Sequence, residues 1–197
     1  MRPQRRLAML LSLALTAGAC GISNQSSPVV INHASLPPVS SSTSIKRSPT
    51  SVPVTLYFVN ANNLLIPVTH SSSYGGLTTS VQALLAGPNT QETEAGTTSA
   101  IPAGTKLLSI GFQGTVIELD FSSSLASVSG KEQVLAFAQI VATTTVSPGV
   151  TAAQIAIKGQ SVNAPLPDGT LAEGPVNKAD YAALIAPSTA TGSRVTK

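Results

Sequence analysis

His70 stands directly before Ser71, Ser72 and Ser73, the one place in the 197-residue chain where an imidazole adjoins hydroxyls. Such a pair would join a nucleophile to its base. Neighbours in sequence rarely meet that geometry, and the Gly-x-Ser-x-Gly turn that presents a nucleophilic serine is absent. His70 therefore reads as a surface residue at a strand end. Glu118 and Asp120 alternate along a strand and share a face, roughly 7 Å apart. That spacing suits a cation or an acid–base pair, and it suits a solvated strand face equally. Asp168 and Glu173 lack the repeated oxygen ligands of a calcium loop, and no glycine-rich phosphate loop occurs. The residues thus give no catalytic set, no metal site and no cofactor. Two patches remain as candidate binding surfaces. Glu92 and Glu94 lie in a long polar loop, Gly87 to Gly104. Gln139 and Thr143 fall, by helical period, on the outward side of the main helix with Glu132 and Ala136.

Charge narrows the partners. The formal net charge is +3, but Arg2, Arg5 and Arg6 all lie in the first six residues. Without those three, 8 of the 11 basic residues remain against 8 acidic ones, and the chain is neutral. Beyond Lys46-Arg47 there is no basic cluster to track phosphates, so no nucleic-acid partner is expected. His33 lies in the same polar stretch and carries no expected role.

Cys20 is the only cysteine, which excludes intramolecular disulfides. Its position gives it a purpose. A basic start (Met1 to Arg6) precedes an apolar run of 11 residues, Leu7 to Ala17, and then Gly18, Ala19 and Cys20. This is the layout of a secretory signal peptide. The run is shorter than the ~20 residues that span a bilayer. A cysteine directly after small residues resembles the lipobox of bacterial lipoproteins, although Ala17 occupies the position where leucine is commonest and Leu15 lies further upstream. The resemblance implies removal of residues 1–19 and a diacylglyceryl group on the Cys20 thiol. Two acyl chains, at about 0.8 kcal/mol per buried methylene, hold a protein at a membrane without a spanning helix. The expected location is the outer face of the cell membrane.

Residues 20–53 then read as a Ser/Pro-rich, disordered tether with only Val29-Val30-Ile31 to bury. The globular part is expected over 54–186, and 187–197 as a loose tail. Periodicity predicts strands over Val54–Val59, Leu64–Thr69, Lys106–Phe112, Thr115–Phe121 and Thr151–Lys158. Pro67 argues for an edge position. Helices are predicted over Thr78–Ala86, Lys131–Val146 and Lys178–Ile185, stopped or opened by Gly87-Pro88, a Ser129–Glu132 capping box and Asn177. On the long helix, Val134, Phe137, Ala138, Val141 and Thr145 form the inward side. On the fourth strand, Ile117, Leu119 and Phe121 face one way. The sum is an α+β domain: a mostly antiparallel sheet of about five strands, covered on one face by two helices, with a short C-terminal helix.

In this order the pieces resemble a known family. They are Leu56-Tyr57-Phe58, Leu65-Ile66-Pro67-Val68, Leu84-Leu85-Ala86-Gly87-Pro88, Glu94-Ala95-Gly96 and Ile101-Pro102-Ala103-Gly104-Thr105. Gly114 to Asp120, Ala138 to Val141, Thr143-Thr144, Pro148-Gly149-Val150 and Ile155 to Gly159 follow. The run is similar to the GerMN (sporulation and spore germination) domain of Gram-positive surface lipoproteins, and spans nearly all of Val54 to Asp180. His70 departs from the basic residue many relatives carry there. The Ala/Ser/Thr-rich, Lys-poor composition suggests an actinobacterial source. The resemblance implies a non-catalytic accessory protein whose partners are envelope proteins or cell-wall polymer. Two other classes stay open: an envelope hydrolase or transferase, and a small-ligand-binding lipoprotein, which would need a pocket with convergent polar groups.

Overall fold

A computed structural model describes residues 51–187. The expected signal peptide, Cys20, the expected tether up to residue 50 and the expected tail from 188 lie outside the described residues. Strand β1 (Val52–Val59) pairs antiparallel with β2 (Leu65–Ser72) through the tight turn at Asn60–Asn63. Helix α1 (Leu77–Ala86) follows and buries Val81 and Leu84. A five-residue helix, α2 (Thr90–Glu94), comes next. Strands β3 (Leu107–Gln113) and β4 (Val116–Phe121) form a hairpin. After a 3-10 turn, Ser123–Ser127, comes the long helix α3 (Gly130–Thr144). Strand β5 (Ala152–Ile157), a short β6 (Gln160–Val162) and a 3-10 segment, Lys178–Leu184, complete the domain.

The α+β class agrees with the sequence, but the strands divide differently. Six strands form two sheets, β1-β2 and β3-β4-β5-β6, rather than one sheet of about five. Strand β5 runs parallel to β4. Parallel neighbours need a long crossover, and α3 supplies it. Strand β6 is a hairpin return through Lys158 and Gly159, both at positive φ (51° and 77°). Two such residues give the turn whose twist matches paired strands. Lys-Gly is not the usual Asn-Gly signal, so the sequence did not announce it. Strand β4 behaves as its alternation predicts: Ile117, Leu119 and Phe121 are fully buried.

The largest correction concerns α3. The sequence suggested a wet face carrying Glu132, Ala136, Gln139 and Thr143. Glu132 is exposed, yet every residue from Leu135 to Thr144 is buried. The helix is covered by β1, α1, β5 and the final 3-10 segment. A helix enclosed on all sides has no solvent stripe to read. Its alanines, Ala136, Ala138 and Ala142, let neighbours approach closely. The expected Ser129 capping box also does not form, and the Ser129 side chain makes no cap bond. Gly130 enters the helix at φ 60°, a left-handed conformation outside the regular helical first turn that a capping box spans. Capping boxes close instead at Asn89–Glu92 and Asn177–Asp180.

Tyr181 anchors the last segment in the core. It is fully buried, and its hydroxyl donates to the Pro165 carbonyl at 3.1 Å. Burial, with Asp180 adding to it, pushes the hydroxyl well above its usual 10.0. A raised folded-state value means that the stabilisation is complete below pH ~10 and is lost as pH rises beyond it. Tyr181→Phe should therefore flatten the alkaline side of the stability profile. It should also cost about 1 kcal/mol at neutral pH through the lost hydrogen bond. Urea melts of both proteins between pH 7 and 11 test this.

Candidate functional site

The candidate residues fall into three environments. Gln139 and Thr143 are 0% and 1% exposed, so they form no outward contact face. They close the free edge of β1. The Tyr57 amide donates to Thr143 Oγ1 at 2.9 Å, and Gln139 Nε2 donates to the Tyr57 carbonyl at 3.1 Å. Gln139 Oε1 accepts from the Ala100 amide at 2.6 Å. Two helix side chains thus take the place of a neighbouring strand at Tyr57. Pro67, opposite Tyr57 in the register, needs no amide there because Tyr57's polar groups point away from β2. The aromatic ring of Tyr57 is held as well: Lys178 Nζ donates to its hydroxyl and lies 4.5 Å from the ring centroid.

Glu92 and Glu94 separate from each other. Glu94 is exposed at the end of α2. Glu92 is half-buried, and its carboxylate meets His70 Nε2 at 2.9 and 3.0 Å. The same carboxylate accepts from the Asn89 amide at 2.8 Å, while Asn89 Oδ1 accepts from the Glu92 amide at 2.9 Å. His70 also packs against Phe58, with ring centroids 5.9 Å apart. The pairing ties β2 to α2 across 22 residues of sequence. The sequence reading missed the partner. The Asn89-x-x-Glu92 spacing of a capping box was the available sign of α2, but nothing local marks its contact with His70. Ser71, Ser72 and Ser73 take no part.

Glu118 and Asp120 lie on the half-exposed face of β4, as alternation requires. Asp120 Oδ1 accepts from the Gly159 amide at 2.9 Å and fixes the β5–β6 turn. Asp168 is held below the usual carboxylate range by the Thr170 amide and hydroxyl. Among the described residues no group of three His, Cys, Asp or Glu side chains could hold a metal ion. Every buried side-chain polar atom among them has a hydrogen-bond partner.

Grooves lie elsewhere. One of about 460 Å³ runs between the start of α3 and the loop at 165–169, with Val134, Leu166 and Leu184 on its walls. Another, of about 330 Å³, lies beside the first half of β1, next to Phe112 and Val146. Neither is lined by Glu92, Glu94, Gln139 or Thr143.

Residues 55–163 match the family described as Germane: sporulation and spore germination. The chain belongs to the Germane family. The matched segment runs from β1 to the end of β6, so the Germane domain contains both sheets and α3. Solved structures agree on the fold. The tandem GerMN domains of the sporulation protein GerM from Bacillus subtilis superpose with a TM-score of 0.54 at 24% identity. That match covers 70% of this chain and 48% of the other, so this chain spans about half the length of the tandem structure. The first GerMN domain of the same protein gives a TM-score of 0.54 at 19% identity, covering 65% of this chain and 98% of that one. No curated protein matches the chain.

Proposed function

We propose that this Germane-domain protein is a lipid-anchored, extracytoplasmic accessory of the cell envelope that works by contact rather than by catalysis. The observation that carries the reading is the use to which the domain puts its polar side chains. His70 is held by Glu92, which also caps α2. Asp120 and Asp180 fix turns, while Gln139 and Thr143 close a strand edge. A nucleophile or general base needs a partner aimed at a shared reacting position. Glu92, Asp120, Asp180, Gln139 and Thr143 are aimed at backbone groups instead, and the His70 ring is taken up by the Glu92 carboxylate. Family membership supports the same reading, since a sporulation protein carries this fold twice.

Anchoring rests on Cys20 and on the basic and apolar residues before it. Among the described residues no helix is long and apolar enough to cross a membrane. Two acyl chains on Cys20 would hold the domain at the surface, with the Ser/Pro-rich stretch as its stalk. Cys20→Ala is expected to move the protein from the membrane fraction to the soluble fraction. His70→Ala, Glu118→Gln and Asp120→Asn are expected to leave its cellular role intact while the domain stays folded. Fractionation and complementation in the native host test both. Loss of role in one of the three, with an unchanged urea midpoint, would favour an envelope hydrolase or transferase.

A further inference from the structure

The β1-β2 pair leaves part of one edge open. In a regular antiparallel ladder, alternate residues turn both backbone polar groups away from the partner strand. On β1 these are Pro53, Thr55, Tyr57 and Val59, because the Tyr57 and Val59 amides donate to Thr143 and to the Thr98 carbonyl. Val59 and Thr98 exchange two backbone bonds at 2.8 and 2.9 Å, and Tyr57 is satisfied by Gln139 and Thr143. Among the described residues nothing bonds the Thr55 amide, the Thr55 carbonyl or the Pro53 carbonyl. The open edge borders the groove of about 330 Å³. Phe112 and Val146, 63% and 43% exposed, stand in its wall, and Tyr74, 77% exposed, is the neighbour of the lining residue Gly75. Two of the five large exposed apolar side chains of the described residues thus line this groove; Tyr74, Leu108 and Leu171 do not.

We propose that this edge is a binding site for a short, uncharged, extended peptide segment of a partner protein, added to β1 as a third strand. An open row of main-chain groups is a template for another strand, which commits the occupant to an extended backbone. The groove has no charged side chain in its lining, so a charged residue entering it would lose water without gaining a counter-ion. Apolar, β-branched side chains match Phe112 and Val146. Helix α3 sets the length, because Gln139 and Thr143 fill the edge at Tyr57 and stop any longer strand there. An antiparallel occupant makes three bonds. One of its residues exchanges two with Thr55, and its second residue onward donates to the Pro53 carbonyl. Proline has no amide to donate, so that side of the edge only accepts.

The site deepens the contact reading of the domain and rests on it. Its test is separate, because acylation is read at Cys20 and occupancy at Thr55. The probe is the blocked peptide acetyl-Val-Thr-Val-Thr-Val-amide, with a control N-methylated at its central valine. Amide exchange at Thr55 is followed by NMR in the full chain. Saturating peptide is expected to slow Thr55 exchange at least tenfold. The N-methylated control should not, and the Phe112→Lys/Val146→Lys variant should bind at least tenfold more weakly. No slowing, or equal binding of the control, overturns the proposal independently of how the variant folds. Protection of Thr55 without peptide overturns it too. If independent of protein concentration, it means that the chain covers its own edge; if rising with concentration, that a second copy does.

Discussion

Gln139→Leu should lower the unfolding free energy of the domain by about 2–4 kcal/mol, although it replaces a polar residue by an apolar one of similar length. The wild-type amide satisfies two backbone groups from different segments, the Tyr57 carbonyl and the Ala100 amide. Leucine leaves both without a partner. An orphaned buried group costs about 1–3 kcal/mol, and the Tyr57 carbonyl lies where water does not reach; Ala100 is half-exposed and recovers part of its loss from solvent. Gln139→Glu separates this cause from simple packing. It keeps an acceptor for Ala100 but turns a carboxylate oxygen towards the Tyr57 carbonyl. Burial and that contact favour the protonated form, so its folded-state pKa should be raised. Stability that depends on the protonated form is present at low pH and lost as pH rises. The glutamate variant should therefore recover on acidification relative to the leucine variant. Urea midpoints of the three proteins at pH 4.5 and 7.5 decide between them.

Phe137→Ala should cost about 3–5 kcal/mol, the usual effect of emptying a buried aromatic site. Phe137 is 1% exposed on the opposite side of α3 from Gln139. Helix α3 packs against β1, β5, α1 and the last 3-10 segment, so the cavity has little room to collapse. Large effects from both substitutions are the signature of a helix buried on all sides. An amphipathic α3, with Gln139 in water, would show the phenylalanine effect and leave Gln139→Leu within about 0.5 kcal/mol. Either loss is a sizeable part of a total stability that is commonly 5–15 kcal/mol. Equilibrium unfolding in urea, with unchanged slopes, measures both.

The contrast between these residues shows how much of the fold was legible. Strands β1, β3, β4 and β5 stand within two residues of their expected bounds, while β2 runs three residues further, to Ser72; alternation is clearest where a strand has one buried face. Ile117, Leu119 and Phe121 are the plainest case. Helix α3 was found at nearly its true length, but its surroundings were not. A polar residue at a helical position normally marks solvent, and only tertiary contact turns Gln139 into an edge-closing group. Local pattern also misled at Ser129, where Gly130 takes a backbone conformation that the capping-box spacing does not reveal.

The candidate site was legible in part. The carboxylates of β4 lie where alternation puts them, but His70, expected on the surface at a strand end, is half-buried inside β2 opposite Val54. Glu92 meets His70 through packing between β2 and α2, a contact across the chain that local spacing does not encode. The open stretch of β1 depends on which of its backbone groups other segments satisfy. That was hidden from a reading of side chains, although Phe112 and Val146 were visible as apolar residues near element ends. Partition of the β strands into two sheets was hidden for the same reason, since it turns on α3 lying against the β1 edge.

The central proposal is a contact domain held at the outer membrane face through residue 20. Mass spectrometry of the N-terminal peptide of the protein from its native host tests it most directly. The expected species begins at Cys20 and carries a diacylglyceryl thioether. A free Cys20 thiol, or a chain that still begins at Met1, would contradict it.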